Sequence, residues 1–110
     1  AHPTGRLIGQ RPPYEIDLLA VMEEARGMDT ALELNAFPDR LDLGDENLMK
    51  ARELGVKIAI GTDAHRPEHL DFMFFGVATA RRGWLSRWDL LNAMEPRELL
   101  DWLWRGRDRA

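Results

Sequence analysis

The sequence predicts an α/β fold on a parallel sheet, the C-terminal part of a (β/α) barrel. Three observations carry that reading. Amphipathic helical stretches alternate with short apolar strands, the signature of βαβ units. Two clear strands, over residues 30–36 and 56–61, stand against about five helices, too few strands for a closed barrel or a complete open sheet. His2-Pro3 at the opening reads as the end of a strand whose body lies upstream, and the chain opens on Ala1 without an initiator Met, as expected of a piece of something larger.

Each element has its own warrant. Gly5, Gly9, Pro12 and Pro13 make the opening irregular, and the Pro pair sets up a helix start. Over residues 14–26, Leu18, Val21, Met22 and Ala25 recur at helical spacing, with Gly27 as the stop. In Thr-Ala-Leu-Glu-Leu-Asn-Ala, Leu32 and Leu34 share one strand face, and Ala31, Glu33 and Asn35 the other. Asp45 is placed to cap a helix that runs through Leu54 to Gly55. The apolar strand Val-Lys-Ile-Ala-Ile-Gly leads into Thr62-Asp63-Ala64-His65. Pro67 opens a helix to about Arg81, with Leu70, Met73, Phe74 and Val77 along one side. Two more helices are expected, over residues 86–93 and from Pro96 to about Arg107. No repeat or linker divides the chain, so residues 1–110 read as one unit.

Composition narrows the function. Hydrophobic residues make up 45% and charged residues 31%, which excludes collagen-like and low-complexity classes. No apolar run reaches the roughly 20 residues that span a bilayer, so no membrane partner is expected. Zero cysteines exclude disulfide frameworks and thiolate metal sites and leave a reducing cytoplasm as the default compartment. The net charge of −4 does not fit a purely electrostatic coat on nucleic acid, so polyanion binding has to be local. Residues 1–11 contain His2, Arg6 and Arg11 with no carboxylate. Arg81 and Arg82 form a second basic spot, and Arg105, Arg107 and Arg109 a third that suits a solvated helix end.

Chemistry is expected where apolar strands end, because strand C-termini face the mouth of parallel α/β folds. Asp63 and His65, two apart, offer a carboxylate oxygen and an imidazole nitrogen to divalent ions, and strand alternation would put both on one side. A capping Asp beside a surface His fits the same pattern. His2 beside Gly5 and Arg6 would set a metal ligand next to a phosphate clamp, since a guanidinium grips phosphate bidentately. A frayed terminus is the alternative. Glu33 needs a partner if buried: either a metal's outer shell or an Arg. His69 is expected on a solvated face, and the four Trp residues as packing groups.

His-Pro-Thr-Gly-Arg at 2–6, Ala31-Leu32-Glu33-Leu34-Asn35, Arg40-Leu41-Asp42-Leu43, Thr62-Asp63-Ala64-His65 and Ala80-Arg81-Arg82-Gly83-Trp84-Leu85 occur here in order. Together they resemble the C-terminal half of the PHP (polymerase and histidinol phosphatase) domain of bacterial family-X DNA polymerases. The resemblance implies a distorted seven-stranded (β/α) barrel holding three divalent ions, manganese or zinc, and hydrolysing DNA phosphodiesters as a 3′→5′ exonuclease in repair. It implies His2, Asp63 and His65 as metal ligands, with Asp63 and His65 at the catalytic centre. Arg6 would contact phosphate, with Asn35 and Arg40 lining the site. The family's upstream His-x-His motif and its remaining ligands are absent from this sequence, so activity is expected of a full protein rather than of this piece alone. The implied partners are DNA 3′ ends and the remainder of the polymerase chain. Unpaired strand edges and an uncovered apolar face would make the piece self-associate. A small-molecule phosphatase acting on a substrate such as histidinol phosphate, and a non-catalytic scaffold, are the competing readings.

Overall fold

A computed structural model describes residues 1–109. Its elements are α1 (Leu18–Gly27), β1 (Leu32–Asn35), α2 (Asp45–Leu54), β2 (Ile58–Gly61), α3 (Met73–Arg82) and α4 (Pro96–Arg109). The two strands pair in parallel, with Leu32 opposite Ile58, Glu33 opposite Ala59, Leu34 opposite Ile60 and Asn35 opposite Gly61. Strand period then sorts the side chains by face. Leu34, Ala36, Ile58 and Ile60 are buried together with Met22, Leu43, Leu48, Ala51 and Val56 beneath the helices. Glu33, Asn35, Ala59 and Gly61 take the opposite face, and there the polar chemistry gathers.

A parallel strand bonds one neighbour through alternate residues and must satisfy the others on its outer side. In β1 the outward groups are those of Glu33 and Asn35. Asn35 N–H donates to the Asp42 carbonyl (2.6 Å), Asp42 N–H returns to Asn35 (3.1 Å) and Leu43 N–H donates to Glu33 (3.3 Å). In β2 the outward Ile58 forms a parallel bridge with Leu90. Ile60 is served by a side chain: its N–H donates to Asn92 Oδ1 (2.8 Å), and Asn92 Nδ2 donates to its carbonyl (2.9 Å). Both edges are therefore occupied, contrary to the expectation of open edges.

Several expected boundaries move, each for a local reason. The first helix begins at Leu18 rather than Tyr14, because Asp17 is its N-cap and accepts from Ala20 N–H (3.1 Å). Gly44, not Asp45, is the N-cap of α2; Asp45 is the first helical residue, and its carboxylate pairs with Arg82 of α3 (3.0 Å). The stretch after Pro67 is a 3-10 helix over Pro67–Phe72 before α3 begins. Residues 86–93 form two 3-10 turns, Arg87–Asp89 and Leu91–Ala93, because Leu90 between them is extended and bridges to Ile58. A reciprocal Ser86–Asp89 capping box starts the first turn.

The packing face of α3 also differs from the expected one. Leu70, Phe74 and Val77 are exposed, Phe74 at 73%, whereas Gly76, Thr79 and Ala80 are buried. The reason is close approach: a Cβ on Gly76 would lie 2.6 Å from Ile60 Cγ2 and 2.8 Å from Ala36 Cβ. Small residues let α3 sit against the sheet, and the large ones are turned outward. Of the four Trp, Trp102 alone is buried; Trp84, Trp88 and Trp104 are exposed. Arg107 lies over the Trp104 ring at 5.0 Å, while the side chain of Arg109, counted in the basic C-terminal spot, lies outside the described residues. No described helix is long and apolar enough to cross a membrane.

Asn92→Ala removes donor and acceptor from the outer edge of β2 at once. The expected cost is about 1–3 kcal/mol, read from urea unfolding, with faster hydrogen exchange at the Ile60 amide. Unchanged exchange there would show that water replaces the amide without loss.

Candidate metal and phosphate site

The site is assembled around two buried polar residues. Asp42, with no exposed surface, accepts from Thr4 N–H (3.0 Å), Thr4 Oγ1–H (2.9 Å) and Gly5 N–H (3.1 Å). These bonds tie segment 2–6 to the loop after β1. Arg6 reinforces the tie, with Nε donating to the Arg40 carbonyl (2.8 Å) and Nη2 to the Leu41 carbonyl. Tyr14, outside any helix, seals the other side. Its hydroxyl lies 2.8 Å from the Pro3 carbonyl, and its ring fills the space where a Cβ on Gly5 (φ +66°) would stand, 2.4 Å away.

That anchoring sets His2 above the C-terminal end of β1. Its N–H donates to Glu33 Oε1 (3.0 Å), and its Nδ1 lies 3.8 Å from the same oxygen. This Nδ1 is buried and has no hydrogen-bond partner. The second organising residue is Asn35, also without exposed surface. Its Oδ1 accepts from Phe37 N–H (3.0 Å), and its Nδ2 donates to Glu33 Oε1 (3.3 Å) and Asp63 Oδ2 (3.1 Å). One neutral amide thus holds two carboxylates beside an imidazole without cancelling their charge. Glu33 is partnered by His2 and Asn35, with no Arg involved.

His2 (φ +49°) and Asp63 (φ +56°) both take the left-handed backbone region, which costs a non-glycine residue energy and clusters at functional sites. For Asp63 this ends strand alternation, so the expectation that alternation aligns Asp63 with His65 does not hold. The His65 ring faces its own turn instead, with Nδ1 2.7 Å from the Asp63 carbonyl. A carbonyl only accepts, so Nδ1 carries a proton, and in the neutral ring Nε2 is then the nitrogen with the free lone pair. Metal-ligating histidines are commonly oriented by such a bond. His69, expected on a solvated face, is half-buried against Phe37 and Phe72. Among the described residues, no three His, Asp or Glu side chains come together closely enough to hold a metal ion.

The two arginines stand in different settings. Arg6 is committed to carbonyls and shapes the loop. The Arg40 guanidinium has no hydrogen bond or ion pair among the described residues. It borders an open depression of about 650 Å³ with His2, Arg11 and Tyr14. Asp42, the group on which the segment hangs, is a residue that sequence reasoning leaves in a loop without a role. Its only signal is the Thr-Gly pair at 4–5, whose amides need an acceptor.

Over 93 residues, 84% of its length, the chain is 59% identical to the DNA polymerase/3′-5′ exonuclease PolX of Bacillus subtilis (strain 168). Over that stretch it belongs with the bacterial family-X DNA polymerases. The match agrees with the resemblance carried by the five motifs. The chain spans 16% of the length of that curated relative. No protein-family model matches the chain.

For a family-X chain the question is whether these donors suit a divalent ion. In kind they do. Two imidazoles and two carboxylates are the donors that manganese and zinc accept, and the unpartnered His2 Nδ1 and the oriented His65 are both available.

Asn35→Leu keeps the volume and removes the shared donor, leaving two carboxylate oxygens short of a partner. About 2 kcal/mol of stability should be lost in urea unfolding at neutral pH. Asn35→Asp should lose more, because a third carboxylate then faces the other two. Equal losses would mean that shape, rather than charge, is what the amide supplies.

Proposed function

We propose that this chain is the C-terminal part of a (β/α) PHP barrel in a family-X DNA polymerase. Its role is metal-dependent hydrolysis of DNA phosphodiesters from the 3′ end. The observation that carries the reading is the meeting of His2, Glu33, Asn35 and Asp63 at the C-terminal ends of two parallel strands. It stands in a chain 59% identical to a protein named for 3′-5′ exonuclease activity.

In this mechanism His2 through Nδ1, Asp63 through its carboxylate and His65 through Nε2 hold divalent ions, manganese or zinc. When bound, such ions supply Lewis acidity at phosphate and activate water. Glu33 fixes His2 through its N–H, and Asn35 holds the Asp63 carboxylate in place, leaving Asp63 Oδ1 free of it. Arg40 receives a non-bridging phosphate oxygen of the DNA end. Arg6 acts earlier, holding the loop that carries Arg40. Three ligands cannot complete a cluster of ions, so the activity belongs to the full polymerase, where the rest of the barrel adds donors. The compartment is then the cytoplasm, where such a polymerase meets DNA.

In the full-length polymerase that carries this chain, Asp63→Ala should lower Mn²⁺-dependent nucleotide release from a DNA 3′ end by about 100-fold or more, beyond the cost of losing an outer-shell group. Nucleotide incorporation should persist. Arg40→Ala should mainly raise KM for DNA, and Arg6→Ala should mainly lower the unfolding midpoint. Full exonuclease activity in Asp63→Ala would overturn the proposal, and phosphate release from small esters in preference to DNA would redirect it.

A further inference from the structure

We propose that His69 is a positioning residue for His65, fixing the turn that presents the His65 Nε2 lone pair; this rests on the reading of His65 as a metal ligand. The His65 backbone N–H donates to His69 Nδ1 at 3.0 Å. The Arg66 Nε–H also points at the same ring, 3.0 Å from Nε2. A neutral imidazole has one lone-pair nitrogen, so both donors cannot be accepted at once, and an imidazolium would accept neither. The amide of His65 is fixed by the chain, whereas Arg66 is exposed and can turn its Nε–H to water. Nδ1 is therefore the acceptor, and Nε2 carries the proton.

The ring itself is held firmly. It stacks on Phe72 (centroids 5.1 Å, 21° between planes) and meets Phe37 edge-on (5.2 Å, 85°). Phe37 N–H in turn donates to Asn35 Oδ1, so His69 leans on a residue bonded to the one that holds Asp63. His65 is exposed, and its other bond is to the carbonyl of Asp63, within its own turn. Its link outside that turn is the one to His69. Losing that link frees the His65 backbone and, with it, the Nδ1–H bond that sets the tautomer.

Two variants separate positioning from packing. His69→Phe keeps the ring stack and removes the acceptor; His69→Asn removes the ring and offers Oδ1 near the place of Nδ1. In the metal-free full-length polymerase, long-range proton–nitrogen NMR reads the His65 tautomer, and circular dichroism reads the unfolding midpoint. We expect wild type and His69→Asn to hold His65 as the Nδ1–H form, and His69→Phe to show a mixture. Calorimetric titration with Zn²⁺ should show binding weakened about 10–100-fold in His69→Phe and largely recovered in His69→Asn. An unaltered His65 tautomer in folded His69→Phe overturns the positioning role. If the tautomer responds while His65→Ala binds Zn²⁺ as wild type does, positioning stands and the ligand role of His65 falls.

Discussion

A buried amide has to find a partner for every donor and acceptor it carries, and Asn35 meets that demand in a way that builds the site. Its backbone exchanges hydrogen bonds with Asp42, its Oδ1 caps Phe37, and its Nδ2 reaches Glu33 and Asp63. Each of those partners then fixes something further. Asp42 gathers Thr4 and Gly5, Glu33 takes the N–H of His2, and Phe37 supports the His69 ring. Four chain segments thus converge on one residue, directly or through its partners. Fully satisfied, such a network rigidifies; with one member missing, it leaves buried charge behind.

The division of the sheet into two faces makes this affordable. The Leu34–Ile60 face carries the hydrophobic burial and leaves the other face free for polar groups. On that face β2 presents only Ala59 and Gly61 opposite Glu33 and Asn35. A Cβ on Gly61 would lie 3.8 Å from Glu33 Oε2, in ordinary contact, so a larger side chain there would reach into the carboxylate. Small residues on one strand thereby make room for the charged ones on its neighbour.

What the sequence discloses, and what it hides, follows from the range of the interactions. The parallel pair and the C-terminal end of α2 are legible because period two, period 3.6 and a closing Gly55 are local signals. So are the places of Asn35 and Asp63, at and just past the C-terminal ends of β1 and β2. The 86–93 stretch misleads because its helical spacing is overridden by the bridge from Leu90 to Ile58, a contact 32 residues away. The α3 face misleads because size was the guide, whereas contact with Ile60 and Ala36 selects Gly76 for having no side chain. Arg6 reads as a clamp for a ligand because an Arg beside Gly shows its charge but not its partners; its carbonyl acceptors lie 34 and 35 residues on.

The chemistry of the site follows from its charge as much as from its shape. Glu33 and Asp63 are kept close by a neutral donor, although an Arg or Lys between them would have stabilised both carboxylates more strongly. A cation built into the protein would have used up that negative potential. Under the proposed function, an amide preserves it for a mobile cation, whose charge would in turn meet a phosphate. The Arg40 guanidinium, borne on the loop that Arg6 holds and bordering a depression shared with His2, supplies the one permanent positive group free among the described residues at that rim. An acidic floor with a basic rim suits the proposed order of metal first and polyanion second, and on that proposal the net charge of −4 is no bar to a local contact with DNA.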